Sequence, residues 1–362
     1  MDAHDIKLIA VQLRVVLEDI MTIDEALIKR DALVFRGDFI PSAEEAFGWM
    51  RERLGRMGFV PMIARRGSSY EVRVVPETYP SPSNPLINLL LFVLTVISTL
   101  VVGAGLAGVD LIAQPERFSA GLPFSVSILA ILAVHEFGHY LMSSFHGVKA
   151  TLPYFIPGPT IIGTFGAVIK TKSPVPDRKG LLDIGAAGPI CGFIVALVAL
   201  GVGLSLSEVV DLSPVVKRGV TEFGDSLMTM LMTYFTKGHL PEGKTVMLHP
   251  VAFAGWVGLL ITAFNLMPVG QLDGGHVLYA VLGRWHSLVA RMTIAALLIM
   301  GWFLWQGWFL WAFLVILLGP YHAPPLNDVT PLNRGRIIIA LLAMVILILC
   351  VVPIPITFQG GF

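Results

Sequence analysis

The 362-residue sequence contains little charge. Only 14% of its residues are Asp, Glu, Lys or Arg, 55% are hydrophobic, and the mean hydropathy is +0.76, whereas soluble domains carry about 25% charged residues. The charge is also uneven, because 24 of the 50 charged side chains (25 basic and 25 acidic) fall in residues 1–80. This composition excludes a single soluble enzyme and predicts a short soluble domain joined to a polytopic membrane domain.

Cysteine and net charge are scarce as well. Cys191 and Cys350 each lie inside an apolar run, which excludes a disulfide scaffold and favours burial as small apolar side chains. The formal net charge is +0, so we expect no nucleic-acid partner. The first ten residues include acids and lead into no apolar signal segment, which predicts a cytosolic amino terminus.

Residues 1–80 are predicted to form a cytosolic α/β accessory domain. We expect one or two amphipathic helices within residues 1–30, followed by a small β-α-β-β module and a proline-rich linker at 79–85. No cluster of nucleophiles or metal ligands stands out in this stretch of sequence. We therefore expect it to bind a cytosolic regulator or to self-associate.

Residues 81–335 are predicted to form the membrane core, and 336–362 a carboxy-terminal transmembrane helix. A span needs about 20 apolar residues, and an uncharged run at 292–327 is long enough for two spans divided near Gln306 and Gly307. We expect about 6–7 spans. The other predicted spans are 86–109, 123–145, 184–207, 245–272 and 337–362. Lysine and arginine are concentrated after the second span, which places that segment and the amino terminus in the cytosol.

The second predicted span contains the sequence HEFGH. His135 and His139 are four residues apart, so they share one helix face and can bind one metal ion. Glu136 stands beside the first histidine and can act on water at that ion. The alternative is a pair of core histidines with a hydrogen-bonded Glu136. That alternative is disfavoured because a buried Glu without a partner is costly in lipid.

A second polar position interrupts a later apolar run. Asp273 lies in an otherwise uncharged segment, and Pro268 upstream breaks a helix by removing a backbone donor. Irregular backbone at membrane depth is tolerated where it is buried in protein or faces water. These residues thus indicate Asp273 as a third metal ligand. They leave open a proton- or ion-coupled transporter in which the same His, Glu and Asp side chains form a relay.

HEFGH together with NLMPVGQLDG resembles the site-2 protease family of intramembrane zinc metalloproteases. The family pairs H-E-x-x-H with a later N-x-x-P-x-x-x-x-D-G, and both motifs are complete here. GTFGAVIKTKSPVPDRKG and GAAGP are similar to the prokaryotic and chloroplast-type branch. The resemblance implies one Zn²⁺ per chain. It implies the following roles: His135, His139 and Asp273 as metal ligands, Glu136 as catalytic base, and Asn265, Pro268 and Gly274 as residues that shape the site.

Residues 151–176 are predicted to form strands or a re-entrant β-hairpin beside the site. The segment lacks charge before Lys170 but is punctuated by Pro and Gly, so it cannot be a spanning helix. Its edge at Gly163, Thr164, Phe165 and Gly166 is expected either to bind an unwound substrate by β-augmentation or to pack as a simple hairpin.

The sequence therefore predicts an intramembrane zinc endopeptidase. The resemblance implies that its substrates are single-span, membrane-tethered proteins cleaved in regulated intramembrane proteolysis. We expect an integral protein of the lipid bilayer, in the plasma membrane of a prokaryote. HEFGH ends 8 residues before Gly147, which places the site in the cytosolic half of the bilayer at 1.5 Å per residue.

Overall fold

The computed structural model describes residues 3–29, 32–77, 83–212, 220–319 and 321–359. They form an amino-terminal sheet with two helices and a larger helical bundle. The predicted domain boundary near residue 80 falls among residues 78–82, outside the described residues, as do the last three residues of the predicted final helix.

The amino-terminal region is an antiparallel sheet in the order β1-β2-β4-β3. Its elements are α1 (Ala3–Glu18), β1 (Glu25–Lys29), β2 (Ala32–Gly37), α2 (Ala43–Gly55), β3 (Phe59–Arg66) and β4 (Ser69–Pro76). Alternate strand residues such as Phe35, Val72 and Val74 face the core formed with both helices. Ser42 and Glu45 form a capping box that fixes the start of α2.

The expectation of helix through residue 30 is wrong. Helix α1 ends at Glu18, and residues 25–29 form β1, which pairs with β2 over its whole length. The apolar run in β1 is only three residues long, Ala26 to Ile28, and periodicity over so short a run does not separate strand from helix. Pairing with β2 therefore determines that residues 25–29 form a strand and not a helix.

Four apolar segments among the described residues are long enough to cross a membrane. They are Pro85–Leu106, Pro115–Phe145, Arg178–Leu206 and Asp273–Phe303. The last segment contains two helices that meet at a 3-10 turn, Gly283–Trp285. Shorter apolar helices complete a polytopic bundle.

The bundle elements are numbered in chain order. They are α3 (Pro85–Leu106), α4 (Leu122–Phe145), β5 (Tyr154–Pro157), β6 (Thr164–Val168), α5 (Arg178–Leu206), β7 (Glu208–Asp211), β8 (Val220–Phe223), α6 (Leu227–Lys237), β9 (Lys244–Met247), α7 (Pro250–Asn265), α8 (Asp273–Leu282), α9 (His286–Phe303), α10 (Gly307–Leu318), α11 (Arg334–Cys350) and β10 (Ile356–Gln359). Helix α5 is central and packs against α4, α7 and α8. The helix break between 303 and 307 lies where the turn at Gln306 and Gly307 is predicted.

The amino-terminal domain docks on one end of the bundle, here called the domain side. The Ile63 N–H donates to Leu326 O at 2.7 Å, and the Asp328 N–H donates to Ile63 O at 3.1 Å. The segment before α11 thus lies beside the edge strand β3 and forms a parallel bridge with it. Lys179, at the start of α5, adds an ion pair with Glu44 at 2.8 Å. The opposite side carries the pairs β7–β9 and β8–β10.

Candidate metal centre

The two histidines of HEFGH lie on one face of α4. His135 and His139 are 4% and 6% exposed, and Glu136 between them is 5% exposed. Helix α4 is continuous from Leu122 to Phe145, so the four-residue spacing places both imidazoles one turn apart on the same side. That face is covered by α5 and α7.

Asp273 reaches the same place because the chain breaks before it. Helix α7 ends at Asn265, and α8 begins at Asp273 after the turn that contains Pro268. A side chain at Gly274 would overlap the Leu266 carbonyl. Only glycine allows the start of α8 to pack this closely on the end of α7. The loop therefore delivers a carboxylate to the interior of the bundle.

Three potential ligand atoms converge at this point. The Nε2 atoms of His135 and His139 lie 3.1 Å apart, and Asp273 Oδ2 lies 3.4 Å from the first and 3.3 Å from the second. A tetrahedral zinc ion with ligands at about 2.0–2.1 Å separates its ligand atoms by about 3.3 Å. The triangle has the size of one face of that tetrahedron. In the part of the chain that the structure describes, this is the one such group of three.

The His139 ring is oriented by a backbone carbonyl of α5. Its Nδ1 lies 2.7 Å from Ile184 O and donates its proton there, so in the neutral ring Nε2 carries the lone pair. Metal-bound histidines are commonly held by such a bond on the other ring nitrogen. The His139 Nε2 lone pair and the Asp273 carboxylate, both electron-pair donors, thus face each other. This arrangement is suited to a cation between them.

Two further groups adjoin the triangle. The backbone N–H of Ile169, directly after β6, is a hydrogen-bond partner of the Glu136 carboxylate. The Asn265 Nδ2 lies 3.2 Å from His135 Nε2. The structure thus brings the Asn265 side chain to the ligand atoms. The carboxyl-terminal cap of α7 is the next residue, Leu266, and not the Asn265 side chain. Ile169 was not foreseen, because a backbone donor leaves no mark in the sequence.

Small residues of α5 make room for both imidazoles. A Cβ on Gly188 would overlap the His139 ring, and one on Gly192 would lie 3.0 Å from His135 Nδ1. GAAGP suggests helix packing from sequence alone. The structure is more specific, since these glycines lie directly against the two candidate ligands. The four-residue spacing of Gly188 and Gly192, equal to that of the histidines, was the available signal.

The predicted hairpin residues do not all point to the site. Strands β5 and β6 pair in an antiparallel hairpin. Thr164 is 1% exposed and donates through its hydroxyl to Ile156 O, and Gly163 O accepts from Ser98 Oγ at 2.6 Å. Phe165 is 67% exposed, and the Gly166 N–H donates to Thr164 Oγ1. Gly163 and Thr164 therefore stabilise the hairpin, and Phe165 is its exposed side chain.

His276 does not join the triangle. It lies one turn after Asp273, but its Nδ1 is 2.5 Å from His322 Nε2, and the His322 ring stacks on Tyr279. This histidine pair ties α8 to the segment after α10. A cavity of about 340 Å³ also lies away from the triangle, because it is lined by opposite-side residues such as Phe223 and Trp256.

The fold and the site together define a polytopic membrane protein with the ligand set of a metal-dependent hydrolase buried between its helices. The model of peptidase family M50, to which the site-2 proteases belong, matches residues 123–306. This range contains both motifs and about half of the chain. The chain belongs to peptidase family M50 and is an integral membrane protein. Membership does not favour the transporter alternative.

Relatives agree with this assignment. The chain is 35% identical to the probable zinc metalloprotease EGY1, chloroplastic, of Arabidopsis thaliana over 65% of this chain and 43% of the relative. It is 30% identical to the probable zinc metalloprotease EGY2, chloroplastic, of the same plant over 83% of this chain and 53% of the relative. The chain spans about half the length of these relatives. No solved structure gives a significant match.

Proposed function

We propose that this chain is a zinc-dependent intramembrane endopeptidase. The observation that carries the proposal is the triangle of His135 Nε2, His139 Nε2 and Asp273 Oδ2, whose sides of 3.1 to 3.4 Å fit a tetrahedral ion. Three protein ligands leave a fourth position for water or substrate, as catalytic zinc sites require. The names of the two Arabidopsis relatives support zinc as the ion.

Each residue of the site has a defined task in this proposal. His135, His139 and Asp273 hold the ion. When bound, zinc supplies a Lewis acid that acidifies water and polarises a peptide carbonyl. Glu136 accepts the proton of the attacking water and returns it to the leaving amine. The Ile169 N–H orients the Glu136 carboxylate, and the Asn265 amide donates toward the substrate carbonyl.

The substrates we propose are single-span proteins of the lipid bilayer. A transmembrane helix hides its carbonyls in internal hydrogen bonds and must unwind before hydrolysis. The β5–β6 hairpin next to Glu136 supports binding of the unwound segment by β-augmentation, with Phe165 as an exposed contact. We also propose that the hairpin is re-entrant.

We propose that the chain crosses the membrane 6–7 times and that its amino terminus is cytosolic, as the sequence predicts. The domain side carries Lys179, Arg178 and Arg336, which supports a cytosolic position for that side and for the amino terminus. The proposed membrane is the plasma membrane of a prokaryote, although both relatives above are named as chloroplastic. Residues 1–80 act as the accessory domain that binds a cytosolic regulator or a second copy, and 81–335 as the protease core. The last span is α11, which is shorter than the predicted helix over 336–362: it ends at Cys350, and residues 356–359 pair with β8 as strand β10.

The test is cleavage of a tagged single-span protein in proteoliposomes. We expect wild type to cleave, a zinc chelator to stop cleavage, and added zinc to restore it. Glu136→Gln removes the base and is expected to abolish cleavage while keeping zinc. Glu116→Gln, an exposed substitution outside the site, is the matched control. Cleavage by Glu136→Gln at the wild-type rate, or proton flux without any cleavage, would contradict the proposal.

A further inference from the structure

The turn between α8 and α9 carries two arginines that stand apart from the metal centre. Arg284 lies in the 3-10 turn and Arg291 lies in α9, two turns further along the same helix face. Together with Trp285, Ser287 and Leu288 they line a cavity of about 280 Å³. Neither arginine forms an ion pair with a carboxylate in the described part of the chain.

This turn lies at the domain side of the bundle. A Cβ on Gly283 would approach the Arg178 guanidinium at 2.7 Å, and Arg178 pairs with Asp328, the residue joined to β3. Helix α9 leaves the turn toward the opposite side. There Trp308, just after α9, donates from Nε1 to Pro353 O, beyond the end of α11. The arginines are thus at the level where the membrane meets water.

The neighbours of the arginines are apolar and exposed. Trp285, Leu288 and Met292 are 60%, 44% and 63% exposed, and Arg291 is exposed between them. Arg291 lies five residues into α9, about 8 Å along the helix. An arginine at that depth on an apolar face extends its guanidinium to the interface, where anionic headgroups attract it. Tryptophan beside it is typical of the headgroup level.

We propose that Arg284 and Arg291 bind the phosphate of an anionic phospholipid headgroup. The cavity between them receives the phosphate, and Leu288 and Met292 lie against the acyl chains. Arg284 also lies over the Trp285 ring at 5.8 Å, which preorganises its guanidinium. A bound lipid would fix the turn that follows α8, the helix that begins with Asp273. The inference is independent of the proposed protease activity.

The test measures lipid retention by native mass spectrometry of the full chain, loaded from vesicles of phosphatidylglycerol in phosphatidylcholine. Each arginine at the surface contributes about fivefold to binding of an anionic lipid. We therefore expect Arg284→Gln with Arg291→Gln to weaken phosphatidylglycerol retention roughly 25-fold and to leave phosphatidylcholine unaffected. Arg284→Lys with Arg291→Lys keeps the charge and is expected to retain most of the preference. Arg117→Gln, exposed in the 3-10 helix Pro115–Gly121 and away from this turn, is the control.

Two results would overturn the inference. One is an equal phosphatidylglycerol preference in wild type and the double glutamine variant, with both folded by thermal unfolding in the same vesicles. The other is full displacement of phosphatidylglycerol by millimolar inorganic phosphate, which would identify the ligand as a free anion rather than a membrane lipid.

Discussion

Glu71 in the amino-terminal sheet and Asp273 in the bundle are both carboxylates held away from solvent, with 3% and 17% of their side chains exposed. Glu71 is surrounded by Arg36, Arg66 and Arg73 at 2.8 to 3.1 Å. Burial raises the pKa of Glu71, but the three guanidinium groups outweigh that effect and lower its pKa to about 2.

The neighbours of Asp273 differ in kind. They are the ring nitrogens of His135 and His139, and the bond from His139 Nδ1 to Ile184 O leaves its other nitrogen as an electron-pair donor. The amino-terminal domain therefore neutralises its buried carboxylate with its own cations. The bundle instead places electron-pair donors, the two histidine ring nitrogens, around Asp273, and a metal centre requires such ligands. The first arrangement suits a charged group that stabilises a fold, and the second suits a bound cation.

The largest expected effect comes from Asp273→Asn. Loss of the charged ligand is expected to remove zinc and to lower cleavage at least about 1,000-fold, because the ion holds both the water and the carbonyl. Zinc content and cleavage rate are measured on the same preparation. An Asp273→Asn variant with full zinc and full activity would make this carboxylate a structural group like Glu71.

Gly188→Ala tests whether α5 positions the His139 ring as a metal ligand. The new methyl group would overlap the His139 ring, so we expect zinc affinity to fall about 10- to 100-fold while the protein remains in the membrane. Gly105→Ala, in α3 with open space at its Cβ, is the control and is expected to behave as wild type. Equal zinc affinity in both variants would contradict the role given to Gly188.

Glu71→Gln tests the other half of the comparison. The folded pKa of about 2 lies below the ordinary value of 4.5. This carboxylate therefore stabilises the fold above pH 4.5, and the contribution disappears as the pH falls toward 2. We expect Glu71→Gln to cost the amino-terminal sheet about 2 kcal/mol at pH 7 and less at pH 3, with cleavage chemistry intact.

Hydrogen exchange of the strand amides in the full chain measures that loss. Glu52→Gln, in an exposed pair with Arg56, should change stability by about 0.5 kcal/mol or less. A Glu71→Gln cost that does not shrink on acidification would show that the charge of Glu71 is not what stabilises the sheet.

The smallest effect is expected at the junction of the two regions. Asp328 accepts from Arg178 Nε at 2.8 Å and from the Tyr279 hydroxyl at 3.0 Å, and its backbone binds β3. We expect Asp328→Asn to slow cleavage about threefold to tenfold without loss of zinc, since α8 carries both Tyr279 and Asp273. Glu44→Gln, at an exposed docking pair, is expected to change little.

The sequence predicted the ligand set because local geometry defines it. H-E-x-x-H fixes two side chains on one helix face, and the Pro268 break explains a carboxylate at membrane depth. Two features were beyond the sequence because they depend on contacts between separate segments. They are the pairing of 25–29 with β2 and the strand-like contact of Asn327 with Ile63.

Zinc analysis of the purified full-length chain tests the central claim most directly. We predict about one zinc ion per chain in wild type and in Glu136→Gln, and loss of that ion in Asp273→Asn and in His139→Asn. A folded wild-type chain that binds no zinc, or binds it equally well without Asp273 and His139, would contradict the assignment of this cluster as a metal centre.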